Sequence, residues 1–242
     1  MNQHIKPYHS NASKKEEVAE MFNNISSSYD FLNRFFSLGI DVIWRKKALQ
    51  EVNLSRPEVI LDMATGTADF AILAAKRGIG KKILGMDISA GMIAVGNTKI
   101  QRQKLEGIIS LRIADSESIP LEDNCIDVCM VAFGVRNFQE LHQGLKEIFR
   151  VLKPGGKVVV LEFSKPAVLP VKWLFSLYFK IIMPFIGRII SKDKRAYTYL
   201  PESVDAFPSG NNFINELLRV GFQHGKVIPL SGGIASIYSG VK

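Results

Sequence analysis

Leu61-Asp62-Met63-Ala64-Thr65-Gly66-Thr67-Ala68-Asp69 closes a short apolar run and opens the segment after it. Val59–Met63 reads as a strand, and the residues past the small-residue loop read as a helix through Lys76. Small residues let the backbone approach a ligand closely, and the start of a helix offers free N–H groups. Nucleotide-binding α/β sheets hold ligands at such a crevice, at the carboxyl ends of their strands. The three glycines of a dinucleotide fingerprint are missing, which counts against a nicotinamide cofactor.

Working outward, the same alternation repeats. Lys82–Met86 reads as a second strand and Ala90–Lys104 as a helix; Ile108–Ile113 and Ile126–Phe133 read as two further strands. The continuously apolar 126–133 run suits a strand covered on both faces. Glu140–Leu152 reads as a helix stopped by Lys153-Pro154-Gly155-Gly156, and Val158–Phe163 as a fifth strand. A helix over 211–220 and strands over 223–230 and 234–241 complete the pattern. Upstream, helices are expected at 14–24 and 40–52, separated by a polar breaker from Ser26 to Asp30. The expectation is one doubly wound α/β domain with a mostly parallel seven-stranded sheet. Within it, 1–55 forms an N-terminal helical cap, 56–165 the cofactor-binding core, 166–208 an apolar helical insertion, and 209–242 the closing helix and strands.

The bulk numbers agree with one large domain of 242 residues, 47% of them hydrophobic. Lys plus Arg total 31 and Asp plus Glu 23, a net charge of +8 that suits an anionic partner without choosing one. Two cysteines, Cys125 and Cys129, exclude a disulfide framework; spaced four apart, they read as buried thiols on one strand face. The four histidines form no metal-ligand spacing, so no metal is expected. Met1 to Lys15 lacks a signal-peptide pattern, and no apolar run is long enough to span a bilayer. Val168 to Ile190 is rich in Leu, Ile, Phe, Trp and Tyr but carries Lys172, Lys180, Pro184 and Arg188. It reads either as a core helix pair or as an apolar lid at a lipid surface. Six basic residues against Asp193 between 172 and 195 favour anionic lipid.

Candidate site residues fall at the carboxyl ends of the expected strands. Asp87, in Gly85-Met86-Asp87, lies 21 residues beyond Gly66, where a carboxylate can accept ribose hydroxyls; the plainer role is to cap the helix after Ser89. Ala114-Asp115-Ser116 follows the third strand, where the Asp can meet an adenine amino group. Phe133-Gly134-Val135-Arg136-Asn137 puts Arg136 and Asn137 at the ligand edge, and an Arg at the end of a buried strand needs a partner.

Together these motifs resemble the class I S-adenosylmethionine-dependent methyltransferases. Longer strings narrow the likeness: Tyr29-Asp30, Leu32-Asn33, Phe133-Gly134-Val135-Arg136-Asn137, Arg150 to Gly156, Leu161-Glu162-Phe163-Ser164-Lys165-Pro166, and Tyr197 to Ser203. Over about 14–240 the chain resembles the ubiquinone/menaquinone biosynthesis C-methyltransferase family. The resemblance implies S-adenosyl-L-methionine as cofactor, held by Tyr29, Asp62, Gly66, Thr67, Asp87, Asp115 and Ser116. Two departures stand out. Ala68 occupies a position where a second glycine is common, at little cost if its φ is negative; Ala132 replaces a serine found in some members and is left out of the site.

The implied reaction is C-methylation of a prenylated quinol, demethylmenaquinol to menaquinol. The alternative is methylation of 2-methoxy-6-polyprenyl-1,4-benzoquinol in ubiquinone biosynthesis. Arg136 is expected to stabilise phenolate, Asn137 to orient a quinol oxygen, and Tyr199 to bond an oxygen; Asp69, Glu162 or water is the base. The expected location is cytoplasmic, with peripheral association to the inner face of the membrane, and the expected partners are the prenylated quinol, membrane lipid and a second copy in a homodimer. Nucleic acid is not expected, because a base-flipping enzyme would carry a Pro-rich aromatic motif where this chain has Phe-Gly-Val-Arg-Asn. A non-catalytic nucleotide-binding or membrane-docking module is the remaining rival.

Overall fold

The apolar runs pair into a seven-stranded sheet. In the computed structural model, which describes residues 5–166, Leu169, Trp173, Leu177 and 195–242, the strands are β1 (Val59–Met63), β2 (Lys82–Asp87), β3 (Ile109–Ile113), β4 (Ile126–Ala132), β5 (Leu152–Phe163), β6 (Gln223–Leu230) and β7 (Ala235–Val241). Their order is β3-β2-β1-β4-β5-β7-β6. The first five run parallel, while β7 lies antiparallel between β5 and β6. The order reverses between β1 and β4, so the crevice past their carboxyl ends is where such a sheet holds a ligand.

Successive strand residues point to opposite faces, and both faces are buried. Ile60, Ile83, Val128, Met130, Val159 and Leu161 pack under α3 (Ile40–Asn53), α4 (Asp69–Lys76) and α5 (Ala90–Arg102). Leu61, Met63, Met86, Cys129, Val131 and Val160 pack under α6 (Leu141–Val151) and a later helix, Asn211–Val220. Each such side chain stabilises the fold by roughly 1.5–3 kcal/mol through burial. A third apolar cluster joins Val18, Met21 and Ile25 of α1 (Lys14–Ile25) and Leu32 of α2 (Tyr29–Phe36) to Met92 and Tyr199. It fixes the N-terminal helices as a cover beside the carboxyl edge. Asn23 of α1 accepts from Ser89 Oγ at 2.7 Å and from Gly91 N–H at 2.8 Å, which ties the cover to the start of α5.

Some local expectations change. The polar Ser26–Asp30 stretch does not break the chain until 40: Tyr29 begins the eight-residue helix α2. The helix before Lys153-Pro154-Gly155-Gly156 does end, yet β5 already begins at Leu152, and a register shift between Ile126 and Val128 absorbs the turn. Gly155 takes φ 77 there, a conformation open to glycine at no steric cost. Of the cysteines only Cys129 is buried; Cys125 lies just before β4, half-buried, with its thiol on the Glu122 carbonyl. Ala68 adopts φ 65, not the negative value that would make it inexpensive. The helix Ala196–Ala206, here α7, precedes α8 (Asn211–Val220). The rest of the expected insertion, 167–194, lies outside the described residues except for Leu169, Trp173 and Leu177.

Candidate functional site

Left-handed backbone recurs around the crevice. In the loop after β1, Ala64, Gly66 and Ala68 have φ 54, 56 and 65, and Phe133 at the end of β4 has φ 60. Left-handed non-glycine residues cost on the order of 1–3 kcal/mol each and persist where the surroundings enforce them. The loop and β4 touch closely: a Cβ on Gly134 would stand 2.5 Å from Ala64 Cβ. Gly66, by contrast, faces open space. Between them is a cleft lined by Tyr29, Met63, Gly66, Asp87, Asp115, Ser116, Ala132 and Asn137. Phe22, Ile88, Met92, Phe133 and Phe138 supply apolar walls.

Of the residues expected to hold the cofactor, five line this cleft: Tyr29, Gly66, Asp87, Asp115 and Ser116. Asp87 is 7% exposed, and burial raises its pKa. Its two oxygens accept from Gly66 N–H at 2.8 Å and Ser89 N–H at 2.9 Å. Each oxygen keeps a lone pair for a further donor. Asp115 accepts from Lys15 Nζ at 2.9 Å and from Glu117 N–H at 2.9 Å. Tyr29 packs edge-on against Phe22 with ring centroids 5.9 Å apart.

Asp62 and Thr67 do not line the cleft; they brace its loop. Asp62 accepts from Thr65 Oγ at 2.6 Å and Ala71 N–H at 3.2 Å, and burial pushes its pKa up to about 7. Thr67 donates to Asp30, and both join a cluster around Lys99, whose Nζ lies 2.7 Å from Asp30 Oδ2, 3.1 Å from Thr67 Oγ and in contact with Asp69. This cluster holds α2 against the loop and keeps Asp69 away from the cleft.

The four expected catalytic residues form two linked pairs. Asn137 lines the cleft, and Tyr199, 3% exposed, donates from its hydroxyl to Asn137 Oδ1 at 3.2 Å. That bond takes one lone pair of the carbonyl and leaves the amide NH2 as the donor Asn137 can present. Arg136 turns inward instead of lining the cleft. Its guanidinium donates to the Phe133 carbonyl and to Glu162 Oε1 at 2.9 Å, and lies over the Phe163 ring at 5.6 Å. Glu162 is fully buried and also accepts the Arg136 and Phe163 backbone N–H groups. Burial pushes the Glu162 carboxyl up, against the pull of Arg136. Arg136 Nε is buried with no partner among the described residues.

Several residues here had no sequence signal. Lys15, Phe22 and Met92 enter only because α1 folds over the edge. Ala132, left out in the sequence reading, lines the cleft. Lys14 is also engaged: its Nζ donates to the Arg136 and Phe138 carbonyls at 3.1 and 2.7 Å, and burial lowers its pKa to about 8. Among the described residues no cluster of His, Cys, Asp and Glu could hold a metal ion.

Comparison with known proteins adds an independent line. Residues 10–242 match the ubiE/COQ5 methyltransferase family. The chain is 44% identical to the demethylmenaquinone methyltransferase of Bacteroides fragilis over 238 residues, 98% of this chain and 97% of that protein. It is 43% identical to the ubiquinone/menaquinone biosynthesis C-methyltransferase UbiE of Geotalea daltonii, over 95% of this chain and 97% of that protein. A crystal structure of an S-adenosylmethionine-dependent methyltransferase from Aquifex aeolicus superposes with a TM-score of 0.60 at 20% identity, covering 81% of this chain and 88% of that one. That likeness establishes the class I methyltransferase fold.

Proposed function

The chain belongs to the ubiE/COQ5 methyltransferase family, and from that premise we propose that it methylates a ring carbon of a prenylated quinol, converting demethylmenaquinol to menaquinol. The enzyme is an S-adenosylmethionine-dependent C-methyltransferase. The observation that carries the substrate reading is the 44% identity with the Bacteroides fragilis enzyme over nearly the full length, joined to a cleft lined by both carboxylates, Asp87 and Asp115, and the Asn137 amide. The residues fit the cofactor. Gly66 leaves room for a ligand, the buried Asp87 carboxylate retains acceptor capacity for ribose hydroxyls, and Met92, Ile88 and Phe138 provide apolar walls for a purine. Asp115 and Ser116 are assigned to the adenine end, and Tyr29 to the cover; Thr67 and Asp62 hold the loop in place.

S-adenosylmethionine, when bound, supplies a methyl group already activated as a sulfonium. The remaining burden falls on the protein. It must place a ring carbon about 3–3.5 Å from that methyl and stabilise charge on the quinol oxygen. Asn137 NH2 donates to that oxygen, and Tyr199 keeps the amide from rotating. Arg136, turned inward and paired with Glu162, adds positive charge behind the cleft wall. Glu162, walled behind Arg136, is a positioning residue. With Asp69 engaged by Lys99, we assign proton acceptance to water in the cleft. The apolar 166–190 segment is assigned to the prenyl tail on its sequence. Peripheral lipid contact and a homodimer belong to the same proposal; among the described residues no helix is long and apolar enough to cross a membrane.

The test is methyl transfer from labelled cofactor to short-tailed demethylmenaquinol, beside the methoxy-benzoquinol and an RNA control. Turnover of the naphthoquinol supports the proposal. Preference for the benzoquinol moves the enzyme to the ubiquinone branch, and transfer to neither quinol refutes it.

A further inference from the structure

The exposed large apolar side chains are not scattered. Among the described residues there are eleven: Phe31, Phe35, Leu38, Ile40 and Ile43 form one run, Leu169, Trp173 and Leu177 another, and three stand singly. Single exposed hydrophobics need no explanation, whereas a run of five does. Helix α2 carries apolar side chains beyond those it buries. Leu32 turns inward at 2% exposure, while Phe31 and Phe35, one turn apart, stack outward with centroids 6.1 Å apart at 63% and 43% exposure. Leu38 follows at 81% exposure with φ 50. For the fold alone, glycine would suit that position better.

The run has a definite place. Trp44 of α3 packs 6.2 Å from Phe133 and from Phe163, at the carboxyl ends of β4 and β5. Farther along α3, Glu51 bonds Lys157 in the earlier half of β5. Helix α3 thus runs away from the carboxyl edge, and Phe31–Ile43 lies at the edge where the cleft opens, with Tyr29 lining the cleft itself. Exposed cations stand beside it: Lys46, Lys47 and Arg34, the last 4.0 Å from Asp69, while the neighbouring Asp30 is taken by Lys99. The acid between 31 and 47, Asp41, is buried and taken by Arg45 and Ser37.

We propose that the turn joining α2 and α3 docks on an anionic phospholipid bilayer, with Phe31, Phe35, Leu38, Ile40 and Ile43 inserted and Arg34, Lys46 and Lys47 at the headgroups. Protruding apolar side chains flanked by cations fit a lipid interface. The docking places the cleft mouth toward the leaflet, and its use for substrate capture rests on the quinol reading above.

The experiment uses the full chain, vesicles of phosphatidylglycerol with phosphatidylethanolamine, and vesicles of phosphatidylcholine, in a salt series. The parent protein should sediment with anionic vesicles, less so with neutral ones, and less as salt rises. The Phe31→Ser/Phe35→Ser variant should partition more than about tenfold less. Leu38→Gly should also partition less, with an unchanged or higher melting temperature, since glycine relieves the left-handed backbone. A purely structural role for Leu38 would lower both together and overturn the proposal. So would a parent that ignores anionic vesicles, or variants that bind them as the parent does. A dimer that dissociates on Phe31→Ser/Phe35→Ser while vesicle binding persists would make the patch a self-interface instead. Methyl transfer to a soluble short-tailed quinol should survive in every variant. Its absence in the parent would sink the quinol reading and leave the docking result standing.

Discussion

Replacing Glu162 with glutamine removes one charge from a pair that water hardly reaches. Glu162 has 0% side-chain exposure and Arg136 8%, with 2.9 Å between Oε1 and the guanidinium. The glutamine keeps one oxygen where the carboxylate served Arg136, the Arg136 N–H and the Phe163 N–H. Its NH2 must then face a backbone donor or the cation. Breaking a buried pair from one side costs about 3–5 kcal/mol. At about 2–4 °C per kcal/mol for a chain of this size, the melting temperature should fall by roughly 6–20 °C. Replacing both partners, Glu162→Leu with Arg136→Met, leaves no orphan charge and should recover most of that loss. The double variant therefore separates stability from chemistry. If the guanidinium stabilises phenolate, single-turnover methyl transfer at saturating cofactor should be slower by about 10²–10³-fold in a protein that still melts near the parent. Differential scanning calorimetry and rapid-quench turnover measure the two. A double variant with parental stability and rate would show that Arg136 only holds the sheet edge. A Glu162→Gln protein melting within about 2 °C of the parent would refute the buried-pair argument itself.

Three further outcomes can be checked. Asp87→Ala should lose roughly 1.5–3 kcal/mol of S-adenosylhomocysteine affinity for each ribose bond removed. It should also melt lower, because Gly66 and Ser89 lose their acceptor; titration calorimetry beside melting reads both, and unchanged affinity would remove Asp87 from the cofactor site. Asp62 has a folded pKa raised to about 7 by burial, so the folded state binds its proton more tightly than the unfolded chain. Its contribution is whole below the unfolded pKa of about 4 and is lost as pH rises through 7. Urea unfolding should therefore show the parent losing more stability than Asp62→Asn between pH 5 and 8, and parallel profiles would contradict this. Lys99→Met should cost about 1 kcal/mol, because its pairs with Asp30 and Asp69 are partly exposed. It should also weaken cofactor binding through α2; full affinity by titration would show that α2 does not help to hold the ligand.

Much of this fold was legible because its strands are buried on both faces and so read as unbroken apolar runs. Asp87 and Asp115 could be picked out because a parallel sheet collects ligands at its carboxyl edge, and both stand there. Helix α2 was not legible. It spans eight residues, about two turns, so Asp30, Asn33 and Arg34 mark its polar side only briefly, and three serines precede it. The roles of Lys15, Phe22 and Lys99 arise only when separate helices close on the loop, and nothing local marks them. Arg136 and Glu162 were each singled out, but their pairing depends on the register of β4 with β5. The strain at Ala68 was misjudged because φ is set by the close packing of the loop, not by the residue.

The antiparallel strand β7 has a consequence for how the chain is made. It sits between β5 and β6, and Ser236 bonds Ser164 across 72 residues of sequence. At about 5–20 residues per second, a ribosome needs roughly 4–14 s to extend the chain by that distance. Through that interval the buried Val158–Leu161 core of β5 offers a bare ladder of N–H and C=O groups on the side β7 will cover. An apolar strand with one open edge is a template for a neighbouring nascent chain. The sheet thus cannot finish during synthesis of its cofactor half, and the β5 edge stays open to intermolecular pairing until β7 emerges.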